Sequence, residues 1–430
     1  MKILLIHQNF PGQFKHLFQH LRTDPRITDM RAFAMRDVAP EDRGTVIDCR
    51  QYLQTPPASW PLIDDFAAKT ARGMAVSRAC DALKRAGFVP DVILGHPGWG
   101  EMVFIRDCFP DARIICFFEF YYRTQGLDFG FDPEFPATQE QAWGVTLKNA
   151  MNHFALEMCD TGISPTAWQR QTYPAQWHDK IKVLHDGVDT ALFAPDPNAA
   201  LQIADQALTR GDGLVTFTAR SLEPYRGFHS VMRALPRILK DAPHARVVFL
   251  GGDGVSYGTK APGGRNWRPY LQQQLGDAVD WSRVYFLGKQ PYPIYRRVLQ
   301  ASTVHLHFNY PFVLPWSLLD AMACECAIVA SDTGPVQDVI SHDAQGLLVD
   351  IFDPEAIAAA TVRLVASDTD RARLGRAARQ WAVQERDLHS ICLPQQMDLL
   401  LGSAPPQAVR TMGQVQRFKT GQRPTHAARI

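Results

Sequence analysis

The chain has 430 residues, 46% hydrophobic and 21% charged, with a formal net charge of +1. That length exceeds one ordinary core, so two domains are expected, and the near-neutral charge excludes the broad phosphate footprint of a nucleic-acid binder. No apolar run approaches a membrane span, MKILLIH is too short for a secretory leader, and the eight cysteines lack framework spacing, which fits reduced thiols in a cytoplasm. Lys2 to His7 is a continuous apolar run of the kind a buried parallel strand shows. It stops at QNFPGQF and gives way to a helix through KHLFQHL, the strand–turn–helix opening of a nucleotide-type α/β unit. Gly12 in that turn is a weak signal alone, because a tight turn accounts for it. His16 and His20 lie four apart on the helix without the glutamate of a zinc-protease signature.

A strand around Met30 to Met35 follows, then a charged loop and a long helix from about Leu62 to Gly87. PDVILGHPGWGE reads as a buried strand ending in His96, at the carboxyl end where open α/β sheets bind ligands. DARIICFFEF is a further strand, and YYRTQGLDFGFDPEFP after it is irregular, aromatic and acidic. Such a loop suits contact with a sugar or lipid-linked sugar, with Glu119, Tyr121 and Tyr122 as candidate acceptor contacts; ordinary loop packing explains it nearly as well. One helix from about Gln139 to Met158, a strand in CDTGIS, a helix near Ala167 and a strand in IKVLHDG complete the first half.

Residues 187–212 hold scattered prolines and polar residues and no clean strand, the composition of a linker. From Gly213 strands are expected in GLVTFTAR, ARVVFLGG, RVYFLGK, VHLHFN, AIVASD and GLLVD, with helices between, which argues a second parallel sheet. The expected domains are 1–186, 187–385, a closing helix over 386–402 that packs back on the first domain, and a mobile basic tail over 403–430.

The chemistry centres on YPFVLPWSLLDAMACECAIVASD. A helix is expected to open with Pro315 as its first residue, and Leu314 before it cannot cap with its side chain. The N–H groups of Trp316 and Ser317 then point outward at the positive end of the helix dipole, where an anion is favoured, although water satisfies them equally well. Arg220 and Arg226 stand in ARSLEPYRGF, at a strand end and a helix opening, and guanidinium groups grip phosphate oxygens in a forked, charge-assisted geometry. An Asp-x-Asp pair at Asp368 and Asp370 directly precedes a helix, where capping explains it better than metal binding. Cys324 and Cys326 lack the second pair a zinc site needs.

With both halves read, the chain resembles glycosyltransferase family 4, the retaining class of GT-B architecture, over nearly everything from Met1 to about Leu400. PFVLPWSLLDAMA is similar to the family block E-G-F-G-L-x-x-L-E-A-M-A, HDGVDTALF to N-G-V-D-x-x-x-F, and ARSLEPYRGF to G-R-L-x-x-x-K-G. HQNFPGQFKHL resembles a bacterial subgroup associated with surface polysaccharides. The resemblance implies two Rossmann-like domains whose parallel sheets face across a cleft. It also implies transfer of a sugar from a nucleoside-diphosphate sugar to a glycan or lipid-linked hydroxyl.

The implied diphosphate clamp is Arg220 and Arg226, the latter at the family's lysine position. His96 and Gly12 are implied near the transferred sugar, Asp320 at the ribose, and Gly252, Gly288 and Lys289 near the base. Phe312 replaces the first motif glutamate, with Asn309 a candidate substitute for the lost contact. No metal or other cofactor is expected. A cytoplasmic protein with peripheral membrane contact is expected; a non-catalytic nucleotide-sugar-binding subunit and a GT-B phosphorylase or epimerase are the rival readings.

Overall fold

The computed structural model describes residues 1–58, 60–203 and 205–402; the basic tail falls outside the described residues. Strands β1 (Lys2–Ile6), β2 (Asp29–Ala34), β3 (Val46–Asp48), β4 (Val92–Gly95), β5 (Arg113–Phe117), β6 (Thr161–Ser164) and β7 (Ile181–Val183) form one all-parallel sheet. Its order is β3-β2-β1-β4-β5-β6-β7, so the winding reverses between β1 and β4. A hairpin of β8 (Ala200–Ile203) and β9 (Gln206–Thr209) follows. The second parallel sheet takes β10 (Leu214–Ser221), β11 (Arg246–Gly252), β12 (Val284–Phe286), β13 (Val304–His307), β14 (Ile328–Ser331) and β15 (Leu347–Val349) in the order β12-β11-β10-β13-β14-β15. Here the reversal lies between β10 and β13. Ligands of open α/β sheets bind beyond the strand ends at such a reversal. Both reversals therefore mark where a site is to be sought.

The strands are apolar on both faces because helices cover both. Leu4 and Ile6 pack in one cluster with Val76 and Cys80, and Ile3 and Leu5 in another with Leu17. That second cluster also takes Leu393, Met397, Leu400 and Leu401 from the chain's last described helix, Leu393–Leu401. The last helix therefore belongs to the first sheet's core, having crossed back beside the outgoing connection. At that crossing Val188 N–H donates to the Arg386 carbonyl and Leu388 N–H to the Val188 carbonyl, each at 2.9 Å. All eight cysteines are buried and free. No helix among the described residues is long and apolar enough to cross a membrane.

Three details depart from the sequence reading. The connection contains the β8–β9 hairpin where no strand was expected: Leu201 and Leu208 are buried partners in a short two-residue alternation that scattered polar residues obscure. The expected single helix after the aromatic loop is two, Gln139–Lys148 and Ala150–Met158. The break is at Asn149, whose side chain accepts from Tyr122 N–H at 3.0 Å and donates to the Tyr122 carbonyl at 2.7 Å. Ser367, not an aspartate, caps the helix Asp368–Arg386, donated to by Asp370 N–H at 3.1 Å, while Asp368 and Asp370 pair with arginines.

The aromatic loop, 123–138, crosses from the first domain and straps onto the second. Asp128 accepts from Tyr225 and Asp132 accepts from Tyr310. Asp132 also faces His229 Nε2 at 3.0 Å, and Glu134 takes a forked pair from Arg233 at 2.6 and 2.8 Å. Phe131 packs on Tyr310 and Phe352, and Phe135 on Trp267. Among the described residues Asp132, Glu134 and His229 are the one group with metal-ligand spacing, and these protein contacts occupy them. Asp132 is 3% exposed, so Asp132→Ala leaves a buried tyrosine hydroxyl and a histidine without their acceptor. We expect it to lower unfolding stability by about 1–3 kcal/mol in urea titration, whereas Glu134→Ala, at an exposed pair, costs about 1 kcal/mol or less.

Candidate functional site

The two reversals face one another across a cavity of about 420 Å³. From the first domain it is lined by His7 and Asn9 after β1, by Gly12 and Gln13, by Trp99 after β4 and by Glu119 after β5. From the second it is lined by Thr218, Ala219 and Arg220 of β10, by Arg226, by His307 of β13, by Tyr257, and by 313–317. Arg220, Arg226 and the helix opening at Trp316 and Ser317 thus line one space, which Gly12 also borders.

Two glycines are required by this packing. Gly12 has φ +47°, and a β-carbon there would sit 2.2 Å from the His7 ring. Gly227, φ +67°, separates Arg226 from the helix Phe228–Asp241, and a β-carbon there would sit 2.3 Å from Phe308. The tight packing of Gly227 on Phe308 brings the Arg226 side chain to the end of β13. Its guanidinium donates to Asn309 Oδ1 and lies 5.0 Å from the Tyr257 ring centroid. Burial pulls its pKa down from the usual arginine value, partly offset by Tyr257 and Tyr225. A cation held in this way gains by meeting an anion.

The helix Trp316–Ala323 begins one residue later than the sequence suggested. Pro315 is its N-cap, with extended backbone (φ −70°, ψ 136°), and no side chain caps the start. Trp316 Nε1 donates to Asp186 at 2.8 Å, which ties the helix opening to the domain crossover.

On the opposite wall a polar chain runs through the first domain. Asn9 N–H donates to His7 Nδ1 at 3.0 Å, which places the His7 proton on Nε2, where it meets Gln13 Oε1 at 2.5 Å. Gln13 Nε2 donates to Glu119 Oε1 at 2.8 Å, and Glu119 Oε2 faces His96 Nε2 at 3.4 Å. Burial, reinforced by neighbouring His96, lowers the His7 pKa to about 3, so the ring is neutral. Burial pushes Glu119 up, but His96 and Gln13 outweigh it and the carboxylate stays ionised.

Several candidate residues stand elsewhere. His96 is 4% exposed and sits behind Trp99, stacked on it at 4.3 Å, so it does not line the cavity itself and reaches it through His7, Trp99 and Glu119. Asn309 is fully buried beneath Arg226 and does not line the cavity. Asp320 lies one turn into its helix, accepting from Tyr295 at 2.8 Å; burial raises its pKa to about 7. Gly252, Gly288 and Lys289 gather at the ends of β11 and β12, where Lys289 packs over Gly252, outside the cavity lining. Tyr121 pairs with His153 at 3.0 Å, away from the cavity. Phe312 and Tyr122 line a second cavity, and Phe312 packs on Phe120, Tyr225 and Tyr257 instead of facing the clamp.

Two family models match consecutive parts of the chain: "Glycosyl transferase family 4 group" over residues 34–193 and "Glycosyl transferases group 1" over 202–381. The chain belongs to the family-4 glycosyltransferases. Among curated relatives of this chain is the alpha-maltose-1-phosphate synthase of Mycolicibacterium smegmatis, 28% identical over 56% of this chain and 63% of that one. Another is the GDP-mannose-dependent alpha-(1-6)-phosphatidylinositol monomannoside mannosyltransferase of the same organism, 27% identical over 47% and 52%. The match thus spans between half and two thirds of these relatives' length. Solved structures share the GT-B fold: Anabaena HepE in complex with UDP and glucose has a TM-score of 0.65 at 16% identity, covering 94% of this chain and 100% of that one. Sucrose-phosphate synthase from Thermosynechococcus elongatus has a TM-score of 0.68 at 18% identity, covering 92% and 98%.

Of the residues lining the cavity, the sequence did not disclose His7, Gln13, Trp99, Tyr257 and His307. His7 stands at a parallel strand end, as His96 does, so the same rule applied to β1 finds it. Tyr257 has no local signal: its loop is placed by buried Glu223, whose carboxylate accepts from Ser256 and Gly258 N–H at 2.9 Å.

Proposed function

We propose that this glycosyltransferase moves a sugar from a nucleoside-diphosphate sugar to a hydroxyl of a glycan or lipid-linked acceptor, with retention at the anomeric carbon and without a divalent ion. The observation that carries the reading is the convergence of Arg220, Arg226 and an uncapped helix opening on one cavity. Two guanidiniums and a helix dipole supply positive charge where a departing diphosphate develops negative charge, the role a metal plays elsewhere. Because the cavity lies between domains, their closure on a bound donor would thin the water there and strengthen each charge contact. In the retaining scheme the departing phosphate oxygen takes the acceptor proton on the face the sugar leaves, so no separate strong base is required. A GDP-mannose-dependent relative and a fold neighbour in complex with UDP and glucose support a nucleotide-sugar donor. A role in exopolysaccharide, capsule or lipopolysaccharide synthesis, at the cytoplasmic face of a membrane, follows from the subgroup resemblance.

Phe312 favours one rival. Where the family carries a glutamate this chain carries a buried ring, which a non-catalytic nucleotide-sugar-binding subunit would tolerate. Turnover of a panel of UDP-, GDP- and ADP-sugars, with and without acceptor pools, separates the two. Transfer or donor hydrolysis that falls at least tenfold in Arg220→Ala is expected. Nucleotide binding without turnover on any pool would establish the non-catalytic reading, and unchanged nucleotide affinity in Arg220→Ala would remove the clamp.

A further inference from the structure

Beside the cleft lies a larger cavity of about 520 Å³ that the clamp does not use. The strap and the helix Gln139–Lys148 form one wall, and Tyr225, Tyr257, Trp267 and Tyr310 of the second domain form the other. Nine of its 22 lining residues are aromatic, interleaved with polar groups. Pyranose rings are held by that combination, because their C–H faces lie on aromatic faces while their hydroxyls take hydrogen bonds at the edges.

The polar groups are poised for hydroxyls. Asp128 lines the cavity, and while it accepts from Tyr225, its Oδ1 is buried without a hydrogen-bond partner. A buried carboxylate oxygen lacking a donor is an unmet acceptor, and a hydroxyl-bearing ligand supplies the donor. Lys148, exposed on the same wall with its ammonium 5.3 Å from the Tyr122 ring centroid, offers donors at the rim. The two cavities adjoin: Tyr257 lines both, and consecutive residues Val313 and Phe312 line the first and the second. A ligand in the second space therefore lies next to the donor cleft.

The geometry points to this cavity as the acceptor subsite, taking a saccharide that lies among the aromatic rings, hydrogen-bonds Asp128 and presents one hydroxyl to the cleft. The inference rests on the sugar-transfer reading. In the reaction that follows, the acceptor oxygen bonds to the anomeric carbon as the bond from that carbon to the phosphate oxygen breaks. The acceptor proton leaves with the diphosphate. Phe312 then has a use: in place of the family's glutamate it builds the aromatic wall between donor and acceptor.

Two variants of the full chain test this. Gly144 lines the cavity from within a helix, and a β-carbon there meets nothing within 4 Å, so Gly144→Trp fills the space without a backbone clash. Asp128→Asn keeps the shape and an acceptor for Tyr225. Binding of maltotriose, methyl α-mannopyranoside and methyl β-galactopyranoside is followed by tryptophan fluorescence, for which Trp267 in the wall is a reporter. UDP and GDP binding is followed by calorimetry. At least one glycoside is expected to bind wild type, with affinity falling about tenfold or more in both variants and nucleotide affinity within about twofold of wild type, that is, within 0.4 kcal/mol. The assignment is overturned if wild type binds no glycoside, if both variants bind as well as wild type, or if nucleotide affinity falls alongside, which would make this a base pocket. Wild type that binds a glycoside but neither nucleotide would instead sink the nucleotide-sugar reading while keeping the saccharide site.

Discussion

Alanine in place of Arg226 is expected to weaken UDP or GDP binding by about 10- to 150-fold, because a charge-assisted hydrogen bond contributes about 1.5–3 kcal/mol. The effect is at the upper end if two phosphate oxygens are gripped by the forked guanidinium. Burial already disfavours this cation in the free protein, so an arriving anion recovers part of that cost. Arg226→Lys should recover only part of the loss, since an ammonium cannot make the forked contact and would leave Asn309 and Tyr257 differently packed. The variant also strips Asn309 Oδ1 of its donor, so a loss of about 1–3 kcal/mol in unfolding stability should accompany it. Calorimetry on protein shown folded by circular dichroism reads both. Nucleotide affinity within twofold of wild type would mean the phosphates sit elsewhere.

Asparagine at Asp320 is expected to stabilise the protein, by on the order of 2–4 kcal/mol at pH 8. Burial raises this carboxyl to about 7, against the hydrogen bond from Tyr295, while an unfolded aspartate ionises near 4. Below about pH 4 both states hold the proton and the carboxyl costs nothing. Between about 4 and 7 the unfolded chain loses its proton first, so wild-type stability falls by about 1.4 kcal/mol per pH unit on this group's account, levelling off above 7. Asparagine removes that loss and still accepts from Tyr295. The gain should therefore be large in urea unfolding at pH 8 and small at pH 4.5; equal gains at both would refute the assignment of cause. Loss of nucleotide affinity in the same variant would show that the strained carboxyl is kept for the ribose.

What the sequence disclosed follows from how local each signal was. The six strands expected after Gly213 all form, because each is a short apolar run bounded by turn residues. Arg220 and Arg226 were found because both sit within one turn of a strand end, and strand order then carries them to the reversal at β10 and β13. Phe312 stands out in the sequence as a departure from the motif, yet its surroundings are illegible there: the rings that enclose it come from 120, 225 and 257, far apart in the chain. The strap shows the same limit. Its alternation of aromatic and acidic residues stood out, but its partners Tyr225, His229, Arg233 and Tyr310 lie about a hundred or more residues downstream, where no periodicity connects them.

The return of the last helix to the first sheet has a consequence for biosynthesis. Leu393, Met397, Leu400 and Leu401 close a core begun by Ile3 and Leu5, so the N-terminal unit is unfinished until residue 401 has been made. The second domain, contiguous in sequence, can assemble while the ribosome still holds the end of the chain. A nascent chain halted before Leu393 would carry an open apolar face on its first half, a surface for chaperones to shield.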